Sequence, residues 1–197
     1  MAINAQKGSI MNLAMPEHTI DIQEYLDGEL QGDIRHEYLA GQVYAMAGAG
    51  EKHNRISLNM AFHLRAAARG KPCGVFISDM KVRVEQSDTF YYPDVMVTCD
   101  PQDTESLYKR LPCLIVEVLS PSTEAIDRRE KFFAYRSLPS LRHYLLISQD
   151  QRRVEWHSRG ESGWLFALLE NDGLMEISCE GLQAAFSLDD IYEDVRL

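Results

Sequence analysis

A chain of 197 residues, 45% apolar and 25% charged, is long enough for one domain with a real core. Its net charge of −10 argues against broad affinity for nucleic acid, and no apolar run is long enough to span a membrane. The charge is uneven. Residues 160–197 hold nine acids and one base, whereas residues 124–142 hold five bases (Arg128, Arg129, Lys131, Arg136, Arg142) and three acids. A basic surface, if there is one, belongs to that second stretch, though a solvated helix face explains it equally.

Residues 1–19 have one Lys and a short apolar patch interrupted by Pro16, a poor signal peptide. They read as a loose arm on a cytoplasmic protein, with residues 20–197 forming a single domain. "HTIDIQEYLDGEL" reads as a short helix capped by Asp21. In "HEYLAGQVYAMAG" two apolar pieces flank Ala40-Gly41-Gln42, which predicts a β-hairpin. Ile56, Met60, His63, Leu64 and Ala67 keep helical spacing over residues 51–69, and Gly70 with Pro72 ends that helix.

Strand-like pieces follow: "VFIS", "MKVRVE" and, after a turn at Gln86-Ser87-Asp88, "TFYYPDVMVT". "PCLIVEVLS" is a short apolar run with one acid, as in a buried strand. "SPST" then opens a helix over about 123–138, with Ser122 or Thr123 as cap. "HYLLIS", "RRVEWHS" and "GWLFALLE" are further strands, and the tail has weak strands and a short acidic end. The order predicts a mixed α/β domain with one central sheet flanked by helices. The helix between the strands at 113–119 and 143–147 is a natural crossover between parallel neighbours.

Cys73, Cys99, Cys113 and Cys179 include no C-x-x-C pair, so a zinc site or redox pair has little support. They read as small buried hydrophobes in a reducing compartment.

Two acids sit where acids are costly. Asp94, after Pro93, lies among Tyr91, Tyr92, Val95, Met96 and Val97; Glu117 shares a strand face with Cys113, Ile115 and Leu119. Close together, two buried carboxylates would repel, and one would keep its proton. A divalent cation removes that conflict: Mg²⁺ commonly takes one or two protein carboxylates and leaves its other positions to water and phosphate.

The series "HEYLAGQVYAMAG … SDMKVRV … YYPDVMV … LIVEVLSPST … DRREKFFAYRSLPSLRHYLLI" resembles the Uma-type restriction endonuclease family of the PD-(D/E)XK nuclease superfamily, over about residues 20–170. The resemblance implies a restriction-endonuclease-like core, Mg²⁺ (or Mn²⁺), hydrolysis of phosphodiester bonds in DNA, and a homodimer. It also implies that Asp94 and Glu117 hold metal and that Glu37 holds a second ion, a metal-bound water or a neighbouring base, although Glu37 reads equally as a surface acid of the hairpin. The alternative is a catalytically inactive nuclease-fold protein that binds nucleic acid or protein.

One departure matters. The superfamily places a lysine two residues after the second acid, and this chain has Leu119 there. Two lysines could replace it. Lys131 matches the family pattern Asp127, Lys131, Tyr135, one stripe of the crossover helix. If that helix is regular, the stripe lies roughly opposite Phe133, the expected core side, which tells against Lys131 reaching a deep site. Lys81, on the strand before Asp94, is the other candidate. A plain Asp127–Lys131 surface pair is the bland alternative. Arg128, Arg129 and Arg136 are candidates for phosphate contacts. His53, where the family also has a histidine, could reach a phosphate or base, or simply cap a helix.

Overall fold

The computed structural model describes residues 19–197, so the proposed arm lies almost wholly outside the described residues. The first helix, α1 (Ile22–Gln31), starts where expected: Asp21 caps it by accepting from Glu24 N at 2.8 Å. The hairpin follows as β1 (His36–Leu39) and β2 (Gln42–Ala45). Its two-residue turn has Ala40 at φ 46° and Gly41 at φ 90°. Positive φ at both central positions is what the twist of a two-residue hairpin demands. Helix α2 (Glu51–Ala67) buries Ile56, Met60 and Leu64.

The single central sheet expected from the sequence divides into two. β3 (Gly74–Ile77), β4 (Lys81–Val84) and β5 (Thr89–Tyr91) are followed by β6 (Val95–Thr98). "TFYYPDVMVT" is therefore two strands, broken at residues 92–94. Pro93 has no N–H for a ladder, and the chain changes sheet at that point. β7 (Tyr108–Lys109) closes the order β2-β1-β5-β4-β7.

The second sheet contains β8 (Pro112–Leu119), β9 (His143–Ser148), β10 (Val154–Gly160) and β11 (Gly163–Leu169), in the order β11-β10-β9-β8-β6-β3. β8 and β9 are parallel, with Leu114 beside His143 and Glu117 beside Leu146, as the crossover predicted. The crossover is α3, residues 124–135. It is a helical turn at Glu124–Ile126, a π-helical stretch at Asp127–Lys131, and a second helical turn at Phe132–Tyr135. The chain ends with the hairpin β12 (Met175–Cys179) and β13 (Leu182–Phe186), then α4 (Leu188–Ile191) under a Ser187–Asp190 capping box.

Every residue of β8 is buried, because this strand is covered on both faces. On one face Leu114, Val116 and Val118 join Ile56, Met60 and Leu64 of α2 and Ile177, Leu182 and Phe186 of the C-terminal hairpin. On the other, Ile115 and Leu119 pack with Val82, Val84 and Tyr91 of the first sheet and with Tyr135 of α3. The second core layer thus lies between the two sheets, and the candidate acids lie at its margin.

The cysteines are not free. Cys73 is bonded to Cys99, and Cys113 to Cys179. Gly74 pairs with Thr98, so the next rung outward brings Cys73 to Cys99. A register shift in the β6–β8 ladder, between Val97 and Thr98, puts Cys113 on the α2 side with Cys179, not on the Glu117 face as strict alternation predicts. With separations of 26 and 66 residues, each bridge constrains the unfolded chain by about 3–4 kcal/mol. Reduction should therefore lower the melting temperature by roughly 10 °C or more. Thermal melts with and without a phosphine reductant check this, and coincident melts would refute the pairing. No helix among the described residues is long and apolar enough to cross a membrane.

Candidate active site

The break at residues 92–94 sets the position of Asp94. Val95 pairs with Val116 across the antiparallel β6–β8 ladder, so one further rung brings Asp94 opposite Glu117. Side chains directly opposite share a face, with Cβ atoms about 4.5–5.5 Å apart. Asp94 Oδ2 accepts the backbone N–H of Val118 at 2.7 Å and lies 3.2 Å from His53 Nε2. His53 is in the first turn of α2. Burial alone would lower its pKa, but the Asp94 carboxylate outweighs burial and raises it.

Glu117 is 3% exposed, and its Oε1 accepts from Tyr135 OH at 3.0 Å. The same oxygen lies 3.4 Å from Lys131 Nζ. That ammonium is also 2.9 Å from Glu37 Oε1 and 3.2 Å from Asp127 Oδ1. A hairpin strand, β8 and α3 therefore converge on one buried cation. Burial would depress the Lys131 pKa, but Glu117, Glu37 and Asp127 outweigh it, so the group stays charged.

Glu117 moves the other way from an ordinary ion-paired acid. Burial lifts its carboxyl well above the usual range, and Lys131 only partly offsets this because Asp127, Asp94 and Glu37 push it further up. Burial and these neighbouring acids therefore favour the neutral form of Glu117 over its carboxylate.

The helix carrying Lys131 is oriented opposite to the sequence expectation. Phe133, expected to face the core, is 76% exposed, whereas Asp127, Lys131 and Tyr135 are 1%, 5% and 0% exposed. Apolarity was the wrong guide here: Glu37 and Glu117 lie beneath the helix and favour the charged stripe. The π-helical stretch spans Asp127 to Lys131, and such stretches recur at functional sites.

Lys81 is not in the cluster. It lies in the first sheet with Nζ 3.2 Å from Tyr92 OH, and that hydroxyl donates to Glu29 of α1. This second buried cluster joins α1 to β4 and to the break that follows β5, and burial lowers the Lys81 pKa. Of the three arginines, Arg128 is committed to Glu124 (2.6 Å) and Glu155 (2.9 Å). Arg129 and Arg136 are exposed on the outer side of α3, Arg129 bonding back to Ala125 O and Arg136 lying over the Phe132 ring. Asp127 and Tyr135 are the participants that sequence reasoning undervalued. Their four-residue spacing from Lys131 was visible, but the carboxylates on the other elements were not.

The donor set fits a divalent cation of the Mg²⁺ kind. The contacts to Asp94 and Glu117 engage Oδ2 and Oε1, and among the described residues no hydrogen bond occupies Asp94 Oδ1 or Glu117 Oε2. Two carboxylates, each with one oxygen held and one free, suit an ion that completes its shell with water and phosphate. Among the described residues no three His, Cys, Asp or Glu side chains are grouped to hold an ion. Glu37, expected to hold a second ion, a metal-bound water or a neighbouring base, lies against the Lys131 ammonium.

The fold is restriction-endonuclease-like. A solved structure from Anabaena variabilis, described as a "putative nuclease belonging to DUF820", matches with TM-score 0.66 over 85% of this chain and 96% of that one; at 15% identity this likeness bears on the fold alone. The family follows from the sequence. Residues 22–190 match the Uma2 family, described as "Putative restriction endonuclease", and the chain belongs to it. Two Synechocystis sp. proteins are similar over most of their length. One, slr1290, is 38% identical over 172 residues (86% of this chain, 90% of that protein), and the other, sll1609, is 37% identical over 150 residues (74% and 85%).

Proposed function

We propose that the protein is a metal-dependent endonuclease that hydrolyses phosphodiester bonds in DNA, with Asp94 and Glu117 holding Mg²⁺ or Mn²⁺. The observation that carries this is the pair of facing carboxylates, each anchored by one oxygen and free at the other, beside a buried ammonium. A bound divalent ion supplies a Lewis acid that activates water and polarises a phosphoryl oxygen.

The chain's own groups do the rest. Val118 N–H and His53 fix the rotamer of Asp94, and Tyr135 fixes Glu117. Lys131 takes the place of the lysine missing at Leu119. Its ammonium orients water or offsets negative charge developing on the phosphoryl oxygens, and Glu37 and Asp127 hold it in position. Arg129 and Arg136, exposed on the outer side of α3, would contact only phosphates that flank the site. Lys81 serves the neighbouring cluster and has no catalytic part in this scheme.

A second reading, an inactive nuclease-fold protein that binds nucleic acid or another protein, draws on the net charge of −10 and on Leu119, which is 5% exposed. Lys131 weakens it by supplying the missing ammonium from another element. Incubation of supercoiled plasmid with the protein, with Mg²⁺ or Mn²⁺ and with chelator, separates the two. Metal-dependent nicking or linearisation supports the enzyme, and intact plasmid under every condition supports the second reading.

A further inference from the structure

The six-stranded sheet ends in a strand that natural proteins rarely leave open. β11 pairs only with β10 among the described residues, so the hydrogen-bonding groups along its other side have no strand partner there. It is seven residues long, "GWLFALL", and has no charge, no proline and no register shift against β10. Open edges are normally short, charged or interrupted, since otherwise they pair with whatever strand they meet. β11 is also apolar on both faces. Phe166 (60% exposed) and Leu168 (40%) lie on the α3 side with Trp164, and Leu165 (58%) lies on the opposite face. A ligand stacked on one face would leave the other uncovered, whereas a paired strand covers both.

We propose that β11 is a homodimer edge: two copies of the chain pair antiparallel through β11 about a two-fold axis at Phe166. In the register that uses all seven residues, Gly163 faces the partner's Leu169, Trp164 faces the partner's Leu168, and Leu165 faces the partner's Ala167. Phe166 meets its own counterpart. Large residues thus meet small or medium ones away from the axis, and two aromatic rings meet on it. Charge favours the same pairing. Glu161 and Glu170 bracket the strand in an acidic chain, and this register puts them opposite Asn171 and Ser162 of the partner, so no acid faces an acid. The contact is isologous and therefore closes as a dimer. It joins the two six-stranded sheets edge to edge and, because the axis is perpendicular to the sheet, leaves both copies of α3 on the same face. None of this depends on the nuclease reading.

Sedimentation equilibrium of the full chain at micromolar concentration tests the proposal. Wild type should have the mass of a dimer. Phe166→Glu brings two carboxylates together on the axis and should halve the mass, with far-UV circular dichroism unchanged. Phe62→Glu, at an equally exposed apolar position on α2 (66%), should remain a dimer. Register is read separately by oxidation: Phe166→Cys should cross-link to itself, and Trp164→Cys should not. A monomeric wild type overturns the proposal. So does a Phe166→Glu dimer as tight as wild type, or cross-linking through position 164 in preference to 166.

Discussion

Lys131→Met is expected to lower the unfolding free energy by about 3–5 kcal/mol at neutral pH, the usual cost of removing one partner from a buried ion pair. The methionine fills nearly the same space, so little of the loss comes from packing. The loss comes from Glu117, Glu37 and Asp127, each within 3.4 Å of the ammonium. Without that ammonium these acids lie in low dielectric facing one another, and their mutual repulsion is unscreened.

The sign with pH follows. In the variant Glu117, whose carboxyl burial already raises, loses the Lys131 charge that offsets burial, so its folded-state pKa stands still further above its unfolded value. The variant is then most stable below the unfolded carboxylate pKa, and it loses stability as pH rises from there towards the raised folded-state pKa of Glu117. Its deficit against wild type should be smaller near pH 4 than near pH 7. Urea unfolding at both values measures this, with Lys131→Arg as the charge-preserving control. A pH-independent deficit would mean that the lysine stem, and not its charge, supports the fold. Nuclease activity should be lost in Lys131→Met even where the protein is folded.

Asp94→Ala is expected to abolish metal-dependent cleavage, a fall of at least about 10²–10³-fold, and to remove the Mg²⁺ binding heat in calorimetry. Its structural cost is smaller, because the side chain is partly accessible. The Val118 amide and His53 each lose an acceptor, worth about 1–3 kcal/mol together. Folding and chemistry therefore separate in this variant, unlike in Lys131→Met. A variant that cuts plasmid as fast as wild type would end the metal-site assignment. Binding by wild type should weaken on acidification, because burial raises the Glu117 carboxyl and an incoming ion must displace its proton. Affinity independent of pH from about 5 to 8 would contradict that part of the argument.

The sequence was most informative where a local rule acts alone. Asp21 capping α1, the Ala40-Gly41 hairpin and the parallel pairing of β8 and β9 around a crossover helix follow from turn chemistry, periodicity and connection length. Asp94 and Glu117 stood out for a similar reason, since a carboxylate in an apolar run is anomalous on solvation grounds wherever the run folds. Proline was the signal given too little weight. Pro93 marks the change of sheet, so Asp94 lies in a break between strands, where a carboxylate can reach both a neighbouring amide and solvent.

What the sequence determined by itself is the family, the order of elements and the two acids set in apolar runs; that they face each other came from the strand register. The tertiary structure decided which lysine serves them. Periodicity assigns a helix face by hydrophobicity and therefore turned Phe133 inward. The folded chain turns Lys131 inward because Glu37 and Glu117, distant in sequence, offset the cost of burying its charge. The disulfide partners and the Lys81–Tyr92–Glu29 cluster were hidden for the same reason: they are encounters between separate elements, and no local pattern records them.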